Sequence, residues 1–278
     1  MVDAAAAPYR DSGRFAWYFA RGKLMGDPAF AGLLRLGLIP PAARVLDLGS
    51  GQGLLASWLL AAQQQHARGD WPQGWPAAPQ ATVLQGIELM PRDVDRARAA
   101  LGNTATFIQG DICQAEFSPS DTVVILDVLH YITLQAQDAV LRRACDALAP
   151  GGVLLLRVGD AAGGLRFRIS NWVDFIVTRM RGHATTQLYC RTLTDWMQAL
   201  QQLGFSVEAI PMSQGTPFAN VLLVARKQGV CMMKEDATSA YPVDTDAVGS
   251  QTLPAALHRD FHTTHTTHAA HCGADHSH

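Results

Sequence analysis

Four short stretches carry residues whose types and spacing could do chemistry. In Val45-Leu46-Asp47-Leu48-Gly49-Ser50-Gly51-Gln52-Gly53, an apolar run ends in an acid and alternating glycines, and Leu54 to Ala62 then reads as a helix. Glycine lets the backbone turn sharply and approach a ligand, and free N–H groups at a helix start favour a negative group. The spacing is G-x-G-x-G, with Leu54 where a dinucleotide fingerprint has its third glycine, so a pyrophosphate ligand loses its strongest support. Asp47 also suits a ligand with a cationic amine. Ile87-Glu88-Leu89 puts a carboxylate where ribose hydroxyls lie in nucleotide-binding sheets. Gln109-Gly110-Asp111-Ile112 offers another acid beside an apolar residue able to cover an adenine face, and Val123 to Tyr131 brings Asp127 and His130 to the same edge. Any one of these acids alone reads as a solvated strand end or a helix cap. Several at one sheet edge read as a cleft.

The elements that position these residues follow from hydrophobic period. Strand-like runs fall at 44–48, 82–89, 106–108, 122–127, 153–158, 205–211 and 221–226. Helical patterns separate most of them. Pro91 opens a helix with Val94, Ala97 and Leu101 on one face, and Leu134, Leu141, Ala144 and Leu148 repeat the spacing before Pro150-Gly151-Gly152. Leu193, Trp196, Met197, Leu200 and Leu203 form a third stripe, opened by Thr192-x-x-Asp195 and closed by Gly204. Strands alternating with helices predict right-handed βαβ units and a mostly parallel sheet covered on both faces. Met212 to Asn220 is too short for a crossover helix, so the last two strands should pair antiparallel.

Composition excludes several classes. At 278 residues and 48% hydrophobic content, the chain can fill one large α/β core. A net charge of −2 provides no bulk attraction for phosphate backbones, so nucleic acid is not the expected partner. No stretch reaches the roughly 18 apolar residues of a membrane span. Cys113, Cys145, Cys190, Cys231 and Cys272 are odd in number and never paired as C-x-x-C, which argues against a disulfide framework and fits a reducing cytoplasm. Three regions are expected: a helical lid or cap at 1–43, the α/β domain at 44–227, and a disordered tail at 228–278 rich in Thr, Ala and His. The tail's histidines are read as binding metal only adventitiously, so no metal site is expected.

VLDLGSGQG, IEL, QGDI, ILDVLHYI and LAPGGVLLLRV, in this order, resemble the successive motifs of class I S-adenosylmethionine-dependent methyltransferases over residues 44 to 227. The resemblance implies a Rossmann-like seven-stranded sheet with an antiparallel last strand and S-adenosylmethionine as cofactor. Carried across, Asp47, Gly49, Ser50, Gly51 and Gly53 hold the methionine moiety. Glu88 meets the ribose hydroxyls, Leu89 and Ile112 the adenine faces, Asp111 the adenine amino group, and Asp127 the region near the sulfonium. Gly22 to Pro28, Trp71 to Pro76, Ile87 to Arg96 and Ser213 to Asn220 are similar to methyltransferases of bacterial aryl polyene biosynthesis. That narrower likeness implies a phenolic or aryl-polyene acceptor, carried on an acyl carrier protein.

His130 is the expected base for such an acceptor, since a histidine's ordinary pKa lies near neutrality; capping or packing is its alternative role. Tyr18, Lys23, Arg166, Arg168, His183 and Tyr189 fall in segments that could wall the acceptor site. No D/N-P-P-Y/F follows the fourth strand and no cysteine follows a proline, which disfavours nucleobase acceptors and favours small molecules. Two other functions compete: a nicotinamide-dependent oxidoreductase, disfavoured by the glycine spacing and the short final hairpin, and a non-catalytic cofactor-binding protein. Oligomeric state is not legible in the sequence.

Overall fold

In the computed structural model, residues 1–159, 188–214 and 220–228 are described, all within a unit Met1–Met232. Helices α1 (Val2–Ala6), α2 (Arg14–Gly26) and α3 (Pro28–Arg35) precede β1 (Arg44–Leu48), with a 3-10 turn at Ala7–Arg10. Then come α4 (Leu54–Ala67), β2 (Val83–Glu88), α5 (Pro91–Leu101), β3 (Thr106–Gln109), β4 (Ser120–Leu126), α6 (Leu134–Ala147) and β5 (Leu148–Gly159). The described chain closes with α7 (Leu193–Gln202), β6 (Phe205–Pro211) and β7 (Asn220–Lys227).

The seven strands form one sheet in the order β3-β2-β1-β4-β5-β7-β6. Pairs among β1 to β5 are parallel, while β7 runs antiparallel between β5 and β6. Strand order reverses between β1 and β4, so the crevice beyond their carboxyl ends is the ligand-bearing position of such a sheet.

Alternation of side chains explains both covered faces. On β1, β4 and β5, Val45, Val124, Val153 and Leu155 join one core with α1 to α5. Their neighbours Leu46, Leu48, Val123, Ile125, Leu154 and Leu156 join the other with α6 and α7. This period places Asp47 and Arg157 on the face of the N-terminal helices.

Local signals mostly act as the sequence predicts. Pro91 opens α5 with Val94, Ala97 and Leu101 buried, and Thr192 and Asp195 form the capping box of α7. Two details of α6 differ. Leu134 is exposed at its first position, and the helix ends at Ala147, before Pro150, because Leu148 already pairs with Ser120 of β4. The Trp/Pro-rich insertion packs on itself, with Trp71 Nε1 donating to Pro76 O at 2.8 Å and the Trp71 and Trp75 rings edge to face. No helix among the described residues is long and apolar enough to cross a membrane. Arg166, Arg168, His183 and the His-rich tail lie outside the described residues.

Candidate functional site

The glycine loop is tied to β2 by its own backbone. Gly49 N–H and Ser50 N–H donate to Ile87 O at 2.8 and 3.1 Å, and Gly53 N–H to Ser50 O at 2.9 Å. Gly49, Gly51 and Gly53 all have positive φ, which only glycine adopts readily. Their surroundings differ. A Cβ on Gly49 would fall 2.4 Å from Val128 Cγ2, and one on Gly53 2.6 Å from Phe107 Cζ, so both are close-packing positions. A Cβ on Gly51 would meet nothing within 4 Å, so the backbone there faces open space. Ser50 is buried against Gly86 of β2.

The acids stand around this opening. Glu88 Oε2 accepts from Gly51 N–H at 2.8 Å and its Oε1 from Met90 N–H at 2.9 Å, so the carboxylate is fixed on the loop. In Asp47, burial and the nearby Glu88 charge push the carboxyl up to about 7. A cation brought beside it would reverse that shift. Leu89 is 51% exposed at the mouth, whereas Ile112 is only 6% exposed and packs in the core. Asp111 Oδ1 accepts from Cys113 N–H at 2.8 Å. Burial and Asp111 together push the Cys113 thiol up to about 11, so no reactive thiolate forms there.

At the end of β4, Asp127 adopts a left-handed φ of 58°. Both its oxygens accept from Arg157, Oδ1 from Nε at 2.8 Å and Oδ2 from Nη2. The same guanidinium donates to both oxygens of Asp27, through Nη1 to Oδ1 and through Nη2 to Oδ2 at 2.8 Å. Lys23 Nζ lies 2.8 Å from Asp27 Oδ2 and 3.9 Å from Asp127 Oδ2. Two carboxylates and two cations thus balance. Burial alone would raise Asp27, but Arg157 and Lys23 outweigh it and hold its carboxyl well below the usual range. Burial would likewise disfavour a charged Arg157, 2% exposed, and the two aspartates outweigh that.

His130 lies in a 3-10 turn, Leu129–Tyr131, beside the Tyr131 ring. Burial lowers its pKa and Asp127 only partly opposes this, so the imidazole is neutral at pH 7. Buried Gln137 fixes the turn, donating to Leu129 O, Ile132 O and Tyr189 O at 3.0, 3.2 and 2.8 Å. Tyr189 N–H in turn donates to His130 O at 2.9 Å. Of the other expected wall residues, Tyr18 is exposed on α2 and Lys23 belongs to the ionic cluster.

Sequence reasoning missed Arg157, Asp27, Gln52 and Tyr9. Tyr9 Oη donates to Gln52 O at 2.9 Å, and Gln52 Nε2 to Ala16 O at 2.9 Å, which fastens the glycine loop to the N-terminal helices. A signal for Arg157 existed: a lone charge inside the apolar run Val153 to Val158 must find a partner when buried. Asp27-Pro28 is likewise an N-cap followed by N1 proline, and Asp27 Oδ1 does accept from Ala29 N–H at 3.0 Å.

Comparison with known proteins agrees with the fold. A family model described as a methyltransferase domain matches residues 18–210. A curated relative, carboxy-S-adenosyl-L-methionine synthase of Chromohalobacter salexigens, is 35% identical over 83 residues, 28% of this chain. The match spans 31% of that relative's length. Among solved structures, an O-methyltransferase family protein from Burkholderia thailandensis superposes with a TM-score of 0.55 at 20% identity, covering 80% of this chain and 62% of that one. Magnesium protoporphyrin IX methyltransferase from Synechocystis PCC 6803, with bound SAH, gives 0.51 at 21% identity, covering 80% and 94%. Likeness at this identity establishes the fold.

Proposed function

The chain belongs to the methyltransferase-domain family, and from that premise we propose that it transfers a methyl group from S-adenosylmethionine to a small-molecule acceptor. The observation that carries this reading is the pairing of an open glycine at Gly51 with two acids, Glu88 and Asp47, at the switch point of the sheet. The residues fit the cofactor on charge, since Asp47 carries a raised pKa that a cationic ligand would relieve. The open space at Gly51 and the exposed Leu89 fit it on shape.

When bound, S-adenosylmethionine supplies an electrophilic methyl group on a sulfonium. Asp47 and the loop backbone would hold its methionine end, Glu88 its ribose hydroxyls, Leu89 an adenine face and Asp111 the adenine amino group. Alignment supplies much of the acceleration in such a displacement, on the scale of effective molarities up to about 10⁵–10⁸ M. The acceptor in this reading is a phenolic hydroxyl, the class the narrower resemblance implies, and a phenol near pKa 10 needs a base, which a neutral His130 would supply. His130 would take the proton from the acceptor hydroxyl, and the demethylated thioether would be the leaving group. The Gly22 to Pro28 segment behind the aryl-polyene resemblance does structural work instead, through Lys23 and Asp27.

Calorimetric titration with S-adenosylmethionine and its demethylated product tests the cofactor, and turnover against a panel of phenols tests the acceptor. Binding of neither compound would end this reading.

A further inference from the structure

The glycine loop is gripped at both ends, and one side chain joins the two grips. At its far end, Gln52 is held by Tyr9 Oη and by Ala16 O, the latter on the first turn of α2. Helix α2 then runs to Asp27, which bonds two nitrogens of Arg157. At the near end, Val128 packs directly on Gly49, where no Cβ would fit. Val128 follows Asp127, whose left-handed backbone is uncommon for a residue with a side chain and must be held by its surroundings. Arg157 supplies that hold through Nε and Nη2, while its main-chain O accepts from Asp127 N–H at 3.3 Å. The contacts therefore close a ring around the loop: Gln52, Ala16, Asp27, Arg157, Asp127, Val128, Gly49.

We propose that Arg157 is a positioning residue for the cofactor: by holding Asp27 and Asp127 on one guanidinium it fixes both ends of the glycine loop in the conformation that binds S-adenosylmethionine. The planar fork is essential, since an ammonium cannot take two carboxylates bidentately. Arg157 lies buried behind the aspartates and acts through them. The inference rests on the S-adenosylmethionine reading above.

The test measures S-adenosylmethionine affinity by calorimetry for wild type, Asp27→Asn, Arg157→Gln and Arg157→Lys. Leu200→Ala, in the opposite core cluster, serves as a control that lowers melting temperature without touching the ring. Asn at position 27 still caps α3, so that variant keeps the test open if the Arg157 variants fail to fold. The dissociation constant should rise about ten- to hundredfold in each ring variant, the scale of a small misplacement of binding groups, with Lys giving no rescue. Leu200→Ala should stay within about twofold of wild type, as distant sites act independently. Wild-type affinity in Asp27→Asn and Arg157→Gln, full rescue by Lys, or equal weakening by Leu200→Ala would overturn the inference. Failure of wild type itself to bind would instead overturn the function proposed above.

Discussion

Glu88 and Gly51 meet across the ends of two neighbouring strands: the carboxylate closing β2 accepts the N–H of the central loop glycine at 2.8 Å. Each residue is ordinary alone. Together they set an acid at a fixed place beside a backbone that faces open space, and the Glu88 charge adds to the burial that raises the pKa of Asp47.

The glycines of this loop are not equivalent, and substitution should separate them. Gly49→Ala pushes a Cβ to 2.4 Å from Val128 Cγ2 and should lower the melting temperature strongly. Gly51→Ala meets open space, so its cost is confined to a left-handed φ of 54°, about 1–2 kcal/mol. Gly51→Val should add to that strain a side chain in the ligand's path. Thermal denaturation and cofactor titration of the three variants check this, and equal melting temperatures for Gly49→Ala and Gly51→Ala would contradict it.

Cofactor affinity should depend on pH through Asp47. Burial and the Glu88 charge push its carboxyl up to about 7, and a cationic ligand favours the ionised form, so binding releases a proton below that pH. Affinity should therefore rise with pH up to about 7, by at most about tenfold per pH unit, and then level off. Calorimetry in buffers of differing ionisation enthalpy reads the released proton directly. Asp47→Asn should abolish the slope.

With a phenolic acceptor, His130→Ala should lower turnover by about 10²–10⁴ while leaving cofactor affinity unchanged. Burial depresses the His130 pKa, so activity should be lost only as pH falls through a value below 6.5. The same depression makes stability fall with pH below the unfolded value near 6.5, where the unfolded chain takes up a proton first. Unchanged turnover would leave His130 a packing residue.

A chain ending at Gln228 should fold and bind cofactor without added metal. The last described strand is anchored from within: Lys227 Nζ donates to Cys145 O and Leu148 O, each at 2.7 Å. Circular dichroism and calorimetry of the shortened chain check this, and loss of binding restored only by the full chain with stoichiometric metal would refute it.

The sheet was legible because its signals are local. Short β-branched or leucine-rich runs mark the strands, Pro91 and Thr192 mark helix starts, and the short Met212 to Asn220 link forces the antiparallel end. The glycine loop and Glu88 were legible for the same reason, since each falls at the end of a readable strand. The ionic cluster was not. Asp27 and Arg157 stand 130 positions apart, and no local pattern tells which of several acids a buried arginine will meet. Asp127 shows the consequence: the family resemblance implies a place near the sulfonium for it, and nothing local in the sequence points to the Arg157 that bonds both its oxygens.

The most direct measurement of the central claim is calorimetric titration of wild type and Glu88→Ala with S-adenosylmethionine. Wild type should bind one equivalent. Loss of hydrogen bonds to a charged group, about 1.5–3 kcal/mol each, should weaken the variant about tenfold or more. No binding by wild type, or equal affinity in the two proteins, would contradict the account.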